Sequence, residues 1–330
     1  MPDKKKILIT RTDKLGDVIL TLPLISETKR IFPDSEISFL VKTYVKDLIV
    51  KYPSIDNLVL EDDYPGFFPM LGLLKKGKFD IVINVYPRFK LALLFFLSGV
   101  KCRVGTGYRW YSFLYNKKLY QHRKDAVKHE SEYNIDLLKT LSADVKYEKK
   151  YYFNYTDSEK QNLESRLCKL NLSLSDKYVI IHPGSKGSAK DWSAENFKKY
   201  VNIFVKEFEN VKIVLTGIAE EESVAKDIYD SVPEENKKSV IQLPGKLNLK
   251  ELMILIDNTA LFISNSTGPI HIAGALNKNI IGFYPNQKPM NETRWQPLSD
   301  NAVILKPDEI SDNMNEITPE KVISETKKFM

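Results

Sequence analysis

The chain alternates short, almost uniformly apolar segments with longer segments of helical periodicity, and this alternation constrains its fold more than any other feature. The clearest apolar segments are EISFLV and FDIVINV in the first half, and YVIIHPG and NIIGFY in the second. Strands that are buried on both faces have this pattern, and they occur in parallel sheets covered by helices. The alternation therefore predicts a doubly wound α/β architecture in both halves of the chain.

The length of the chain and the repetition of this pattern predict two domains. A single hydrophobic core rarely serves a chain of 330 residues. A charged segment with few glycines near residues 155–177 separates the two series of strands and helices, and we place the boundary at residue 170. Ligands of such sheets bind beyond the carboxyl ends of the strands. The candidate site therefore consists of the loops that follow strands, at 11–17, 182–191, 217–222 and 264–268.

The composition is that of an ordinary globular protein, with 43% hydrophobic and 28% charged residues. The first apolar run is too short for the core of a signal peptide. The longest apolar run, LALLFFLSGV at 91–100, is about half of a membrane span, and we interpret it as a buried helix. Cys102 and Cys168 form no C-x-x-C pair, so we expect that they neither bind a metal nor have a redox role. Their number and spacing favour a reducing cytoplasm as the compartment of the protein.

The two halves of the chain differ in charge. Residues 1–170 hold 30 Lys and Arg against 21 Asp and Glu, a balance of +9, whereas residues 171–330 hold 19 against 22, a balance of −3. The first half is therefore expected to meet an anionic partner. Its most basic stretch, 101–130, interleaves Lys and Arg with Tyr, Trp and Phe, a mixture that suits phosphorylated lipid headgroups or single-stranded nucleic acid. A solvated basic loop is the simpler alternative.

An unusual turn follows one predicted strand, in the segment FISNSTGPIHIAGAL at 262–276. Pro269 suits the first turn of a helix, and Thr267 or Gly268 is then predicted to cap that helix. The exposed amides and the helix dipole favour a phosphate or diphosphate, and His271 lies one turn further along. The alternative is an ordinary helix cap without a ligand and a histidine packed in the core.

Two other loops of the second half have the composition of a nucleotide site. In the loop at 182–192, Gly184 and Ser185 let the backbone approach a ligand, and Lys190 supplies positive charge. After the strand VKIVLTG, Glu221 and Glu222 begin a helix, where a carboxylate commonly binds the hydroxyls of a ribose. The alternative is that these acids only complement the helix dipole.

The segment RTDKLGDVILTLP at 11–23 is the strongest loop of the first half. Gly16 frees the backbone beside Asp17 where the strand meets the helix, and a partly buried carboxylate there suits a general base that acts on a hydroxyl. The alternative is that Asp17 only caps the helix. Asp13 is a second candidate, which we interpret as solvated or paired.

These loops, in this order and at this spacing, resemble glycosyltransferase family 9, the ADP-heptose:lipopolysaccharide heptosyltransferases. The segments similar to the family's GD loop, phosphate-loop signature and N-D-S-G helix start are ILITRTDKLGDVILTLP, IIHPGSKGSAKDWSAENF and FISNSTGPIHIAGAL. The resemblance spans almost the whole chain. It implies a GT-B fold, in which two doubly wound Rossmann-like domains face a central cleft. The expected parts are an acceptor-binding domain over 1–170, a nucleotide-sugar-binding domain over 171–312, and a C-terminal helix over 313–330 that packs back on the first domain.

The resemblance also implies a role for each matching residue. Asp17 is the expected catalytic base, and Lys190 is expected to contact the donor phosphates. Glu222, with its neighbour Glu221, is expected to bind the ribose. The other expected donor-binding residues are Gly184, Ser185, Leu247, Ser266, Thr267, Gly268 and His271. The expected acceptor-binding residues are Lys14, Gly16, Arg109, Lys117 and Arg123.

The implied activity is inverting transfer of a sugar, most simply heptose from ADP-heptose, to the lipopolysaccharide inner core or a related surface glycolipid. The family uses no tightly held metal and no separate cofactor. We therefore expect a cytoplasmic protein peripherally associated with the inner membrane, an anionic glycolipid as its partner, and no nucleic acid.

One position departs from the family pattern. Ser266 stands where most members have an aspartate. This difference leaves open a different nucleotide-sugar donor on the same fold. A non-catalytic binder of nucleic acid or membrane surfaces, acting through residues 101–130, is the remaining alternative.

Overall fold

The computed structural model describes residues 4–184, 190–308 and 311–330. The chain divides into two compact units, Met1–Asn154 and Tyr155–Met330. Each unit contains one parallel sheet of six strands within these described residues. The predicted α/β architecture is therefore confirmed in both halves.

The sheet of the first unit has the strand order β3-β2-β1-β4-β5-β6, and all neighbouring strands are parallel. Its strands are β1 (Lys6–Thr10), β2 (Glu36–Val41), β3 (Asn57–Leu60), β4 (Ile81–Asn84), β5 (Cys102–Thr106) and β6 (Lys117–Leu119). Its α-helices are α1 (Leu15–Ile19), α2 (Leu22–Ile31), α3 (Lys46–Ile49), α4 (Phe68–Gly77), α5 (Phe89–Leu97) and α6 (Glu130–Ile135). The strand order reverses between β1 and β4, which places the expected ligand crevice beyond the carboxyl ends of those two strands.

The sheet of the second unit has the order β12-β11-β10-β7-β8-β9 and is also parallel. Its strands are β7 (Tyr178–His182), β8 (Lys212–Leu215), β9 (Val240–Gln242), β10 (Leu261–Asn265), β11 (Ile280–Phe283) and β12 (Ala302–Leu305). Its α-helices are α7 (Asp157–Cys168), α8 (Ala194–Glu207), α9 (Glu222–Asp230), α10 (Leu249–Asp257), α11 (Gly268–Ala275), α12 (Glu292–Trp295) and α13 (Pro319–Thr326). The reversal of order here lies between β7 and β10.

The division between the units falls earlier than the predicted boundary at residue 170. Helix α7 lies before that boundary in the sequence but belongs to the second unit. Its Arg166 donates to the carbonyl of Lys246 over 2.8 Å and forms an ion pair with Glu251. These contacts with the start of α10 fix the helix to the second unit.

The C-terminal helix α13 is also part of the second unit. Its Val322 and Ile323 are buried in the same hydrophobic core as Trp192. Thr326 bonds to the hydroxyl of Tyr200 on α8 over 2.9 Å. The apolar face of α13 therefore completes the core of the second unit, and the expectation that this helix packs back on the first domain stays a prediction.

Helix α5 corrects the interpretation of the apolar run at 91–100 as a buried helix. Leu91, Leu94 and Phe95 are buried in the core of the first unit, but Phe96 and Leu97 are exposed. Only one face of the helix is thus covered. In the part of the chain that the structure describes, no helix is long and apolar enough to cross a membrane.

Candidate active site

The loop after β1 places Asp17 in the first turn of α1, at the carboxyl edge of the first sheet. The N-cap of α1 is Lys14, so Asp17 does not cap the helix. The carboxylate of Asp17 is 13% exposed and forms an ion pair with the guanidinium of Arg11. A partly buried carboxylate that an ion pair holds in one orientation is suited to act as a general base.

Arg11 is the centre of this loop, and the sequence analysis missed it. Its side chain is buried and lies between three carboxylates. The guanidinium donates to Asp13 over 2.7 Å, pairs with Asp17, and contacts Glu130 over 3.3 Å. Burial opposes the charged form of Arg11, but the carboxylates outweigh it and raise the pKa of the guanidinium. The Arg11 side chain therefore stays charged and supplies fixed positive charge beside Asp17.

Asp13 shares this guanidinium, which confirms the interpretation that it is paired. Burial raises the pKa of Asp13, and its bond to Arg11 opposes that shift only in part. The backbone carbonyl of Asp13 also accepts a hydrogen bond from the hydroxyl of Tyr44 over 3.1 Å. Asp13 therefore has a structural role in holding the loop.

Glu130 connects this loop to helix α6. Its carboxylate is buried and accepts a hydrogen bond from Arg123 over 2.5 Å in addition to the Arg11 contact. Asn134, one turn further along α6, accepts from Arg123 over 2.9 Å and donates to the carbonyl of Leu20 over 3.0 Å. Arg123 was predicted to bind the acceptor, but the structure places its guanidinium in this internal network.

The other expected acceptor-binding residues lie in different places. Gly16 is buried inside α1, and Lys14 is exposed at its start. Arg109 is exposed in the loop after β5. Lys117 begins the edge strand β6, three strand spacings, or roughly 14 Å, from β1. Lys14, Gly16 and Arg109 thus lie near the carboxyl edge, whereas Lys117 does not lie near Asp17.

In the second unit, Asn265 at the end of β10 joins the two central loops. Its side chain is fully buried, donates to the carbonyl of Pro183 over 2.7 Å, and accepts from the amide of Trp192 over 2.8 Å. It therefore holds both ends of the loop that begins after β7. Residues 185–189, which include the predicted donor-binding Ser185, lie outside the described residues.

Helix α11 begins where the sequence predicted. Thr267 is its N-cap, with Pro269 in the first turn. The hydroxyl of Thr267 bonds to Ser264 over 3.1 Å and does not cap the helix amides. Because the N-cap side chain leaves the first-turn amides uncapped, the Gly268 end of α11 suits an anionic ligand.

His271 and Ser266 lie on either side of this helix start. His271 is buried, with its ring 6.5 Å from the ring of Trp295. Ser266 is half-buried and lies beside the hydroxyl of Tyr284. That hydroxyl donates to the carbonyl of Trp295 over 2.9 Å. Ser266 therefore lies beside a side chain that bonds to the same α12 segment that His271 contacts.

The structure distinguishes Glu221 from Glu222. The carboxylate of Glu221 lies against Gly184, and a Cβ atom at Gly184 would collide with it. It also accepts a hydrogen bond from the amide of Ile218 over 3.0 Å. Glu222 is exposed at the start of α9. Of the two glutamates, Glu221 is therefore the one that lies at the carboxyl ends of β7 and β8.

Lys190 and Leu247 lie at the periphery of these loops. Lys190 is exposed, and its ammonium contacts Asp312 over 3.3 Å. Leu247 is half-buried in the turn that precedes α10. Among the residues that the structure describes, no group of three or more His, Cys, Asp and Glu side chains is arranged to hold a metal ion.

Two six-stranded parallel sheets of this order are the fold of the GT-B glycosyltransferases, and the comparisons with known proteins identify the class. The model of glycosyltransferase family 9 (heptosyltransferase) matches residues 71–322. A Haemophilus influenzae protein, whose name assigns glycosyl transfer provisionally and gives no substrate, is 30% identical over 90% of this chain and 87% of its own. The chain belongs to glycosyltransferase family 9, as its motifs predicted, and is an enzyme of that class.

Two further comparisons agree with this family. An Escherichia coli lipopolysaccharide heptosyltransferase 3 is 23% identical over 87% of this chain and 85% of its own. The solved structure of the Escherichia coli ADP-heptose lipopolysaccharide heptosyltransferase II matches with a TM-score of 0.82 at 20% identity, over 98% of each chain. At this identity the structural match shows the GT-B fold.

Proposed function

We propose that this enzyme transfers heptose from an ADP-heptose donor to the inner core of lipopolysaccharide or a related surface glycolipid, with inversion at the anomeric carbon. The observation that carries the proposal is the placement of two complementary sets of groups at strand ends. One unit holds the Asp17 carboxylate in an ion pair, and the other presents the Glu221 carboxylate beside the uncapped start of α11. The choice of heptose as the sugar and of lipopolysaccharide as the acceptor follows the names of the related proteins.

The donor site is proposed to lie on the second unit. The amides of the first turn of α11 would bind the diphosphate, since a helix start favours negative charge. Glu221 would accept hydrogen bonds from the ribose hydroxyls, and Gly184, which has no Cβ atom, leaves the space that this carboxylate occupies. Lys190 would exchange its exposed contact with Asp312 for a donor phosphate.

The acceptor site is proposed to lie on the first unit, around Asp17. Asp17 would take the proton of the acceptor hydroxyl as its oxygen forms a bond to the anomeric carbon of the donor. The bond from that carbon to the diphosphate oxygen breaks, and ADP leaves with the electron pair. One displacement from the face opposite the leaving group gives inversion. Positive charge on Lys190 and the α11 amides would stabilise the leaving diphosphate without a separate cofactor.

Arg11 is proposed to orient Asp17 for this step. A guanidinium that is itself held by Glu130 and Asp13 has little freedom, so its ion pair fixes the direction of the Asp17 carboxylate.

A second candidate donor is favoured by Ser266. Because residue 266 is a serine, this position carries no negative charge where most family members have an aspartate, and it lies beside the hydroxyl of Tyr284. A different sugar on the nucleotide would be accommodated by this neutral, hydrogen-bonding surface. In either case we propose a cytoplasmic enzyme that works peripherally at the membrane of its lipid acceptor.

The experiment that tests the proposal measures product directly. The enzyme would be incubated with extracted core lipid that lacks heptose and with ADP-heptose, and the lipid analysed by mass spectrometry. ADP-, UDP-, GDP- and CDP-sugars would be compared in parallel. Transfer from ADP-heptose is the expected result. Transfer only from a non-ADP sugar would favour the second donor, and no transfer from any of them would contradict the proposal.

A further inference from the structure

Helix α5 is apolar on both of its faces. Its inner face packs in the core of the first unit, whereas its outer face carries Phe89, Leu93, Phe96 and Leu97. These four residues are spaced i, i+4, i+7 and i+8, so they form a single stripe along the helix. A helix that is apolar all round is normally covered on every side. In the outer stripe of α5, Leu93 packs against the cluster that contains Tyr111, whereas Phe89, Phe96 and Leu97 are exposed.

Two aromatic side chains of the following segment extend this stripe. Trp110 is 74% exposed and Phe113 is 67% exposed. The rings of Phe89 and Trp110 lie 4.8 Å apart, and Phe89 also contacts the ring of the buried Tyr111. We call this surface the apolar patch, and it consists of Phe89, Leu93, Phe96, Leu97, Trp110 and Phe113. Contiguous exposed apolar surface of this kind marks an interaction site.

The segment that carries the apolar patch is strongly basic, although Arg88 at the start of α5 is paired with Glu61 over 3.4 Å. Residues 81–124 contain nine Lys and Arg and no Asp or Glu. The exposed cations of this segment include Lys90, Lys101, Arg109, Lys117, Lys118 and Lys124. The guanidinium of Arg103 lies over the ring of Phe96, with 5.4 Å between its carbon and the ring centroid. An apolar surface bordered by cations is complementary to a lipid bilayer with anionic headgroups.

We propose that the apolar patch docks this enzyme on an anionic membrane surface, with α5 lying in the plane of the headgroups. At nine residues, α5 is about 14 Å long, and it therefore lies on the membrane instead of crossing it. Trp110 and Phe113 insert at the boundary between headgroups and acyl chains. The surrounding lysines and arginines contact the headgroup phosphates.

The apolar patch lies near the proposed acceptor site. Membrane docking does not depend on that site, but its role in bringing a lipid acceptor to the enzyme rests on the proposed function. Phe89 follows β4 and Trp110 follows β5, so both lie near the carboxyl edge of the sheet. Asp17 lies at the same edge after β1. Arg88, at the start of α5, donates to the hydroxyl of Thr12 in the Asp17 loop over 3.3 Å. A lipid acceptor embedded in the docked membrane would therefore present its sugar beside Asp17.

The test measures binding of the full chain to sedimented vesicles of phosphatidylglycerol and phosphatidylethanolamine. The double variant Trp110→Ser, Phe113→Ser is expected to bind roughly tenfold or more weakly, because it removes two inserting aromatic side chains. The matched control is Phe68→Ser, an exposed phenylalanine at the start of α4 in the same unit that is not part of the apolar patch. The control is expected to bind as the wild type does.

A second measurement tests insertion itself. Trp110 is one of three tryptophans and belongs to the first unit, whereas Trp192 and Trp295 belong to the second. Brominated lipids should quench the wild-type fluorescence, and the variant Trp110→Phe should lose that quenching. The charge-reversal variant Lys101→Glu, Lys118→Glu should bind vesicles more weakly and lose most of its salt dependence.

Three results would overturn the proposal. The first is that the double variant binds vesicles as tightly as the wild type does. The second is a dimer in light scattering that the double variant abolishes, which would assign the apolar patch to a second copy of the chain. The third is tighter binding to a single-stranded oligonucleotide than to vesicles. ADP binding is measured separately by calorimetry, so failure of the donor-site proposal and failure of membrane docking give different results.

Discussion

Glu221 and Glu222 are adjacent in sequence, yet their carboxylates have different surroundings. Glu221 lies against Gly184 and accepts the Ile218 amide, whereas Glu222 is exposed. We expect Glu221→Gln to weaken ADP affinity about tenfold, because hydrogen bonds to a charged group contribute about 1.5–3 kcal/mol. Glu222→Gln is the matched control and should change the affinity little. Isothermal titration calorimetry would measure both, and the reverse ranking would contradict this placement.

His182 makes the stability of the second unit depend on pH. It is buried beside Thr216, and burial lowers the pKa of His182 from 6.5 to about 4. Between these two pH values the unfolded chain binds a proton that the folded chain does not bind. The free energy of unfolding therefore falls as the pH falls through this range, by on the order of 3 kcal/mol in total. Above pH 6.5, His182 causes no further change in stability.

Urea unfolding at a series of pH values would measure this dependence. The variant His182→Asn, which cannot titrate, should have a shallower slope between pH 6.5 and 4. An equal slope in the variant and the wild type would show that other groups cause the acid sensitivity.

At the residue scale, the sequence predicted the positions of side chains better than their partners. It placed Asp17 at a strand end, but it did not reveal Arg11 as the group that pairs with it. Arg11 and Glu130 are 119 residues apart, and nothing local in the sequence relates them. The position of Arg11 directly after β1, between a strand end and two aspartates, was the available signal.

At the element scale, Asn265 joins the end of β10 to both ends of the loop after β7. The variant Asn265→Ala leaves the amide of Trp192 and the carbonyl of Pro183 buried without this partner. We expect it to lower the free energy of unfolding by about 2–4 kcal/mol and to weaken ADP binding. Asn258→Ala is the matched control, since Asn258 donates one hydrogen bond to Ile254 at the end of α10.

Chemical denaturation and calorimetry would measure these two effects. The control should cost about 1 kcal/mol and leave ADP affinity unchanged. A similar loss of stability in both variants, with equal ADP affinity, would show that Asn265 does not organise the donor loop.

The elements themselves were largely predictable, because the central strands, such as β1, β4, β7 and β10, are buried on both faces and are therefore apolar. The start of α11 at the Gly-Pro pair was also predictable, since proline suits a first turn. The surfaces that cover the apolar faces of α5 and α13 were not predictable from the sequence. An apolar stripe shows that a face needs covering, but the tertiary structure decides whether the core, another unit or a membrane covers it.

At the scale of the whole molecule, the two units differ in charge and in chemistry. The basic first half carries Asp17 and the apolar patch, and the slightly acidic second half carries the nucleotide-type loops. We expect ADP to slow amide hydrogen exchange in the first turn of α11 and in the loops after β7 and β8. No slowing is expected around Asp17 with ADP alone. Protection confined to the first unit would contradict the proposed division of substrates.

The family assignment and the α/β fold could both be predicted from the sequence, because the motifs at the strand ends and the apolar strands are each contained in a short local segment. The division at Asn154 and the packing of α13 could not, since both depend on which core an amphipathic helix joins. Ser266 remains a predicted specificity position, and the structure places it beside the hydroxyl of Tyr284.

The most direct test of the proposed mechanism compares Asp17→Asn with Asp13→Asn in the mass-spectrometric transfer assay. Both aspartates bond to Arg11, but only Asp17 is the proposed base. Asp17→Asn is expected to reduce the transfer rate roughly 1,000-fold with unchanged ADP affinity, and Asp13→Asn to reduce it far less. Full turnover by the Asp17→Asn variant would contradict the account.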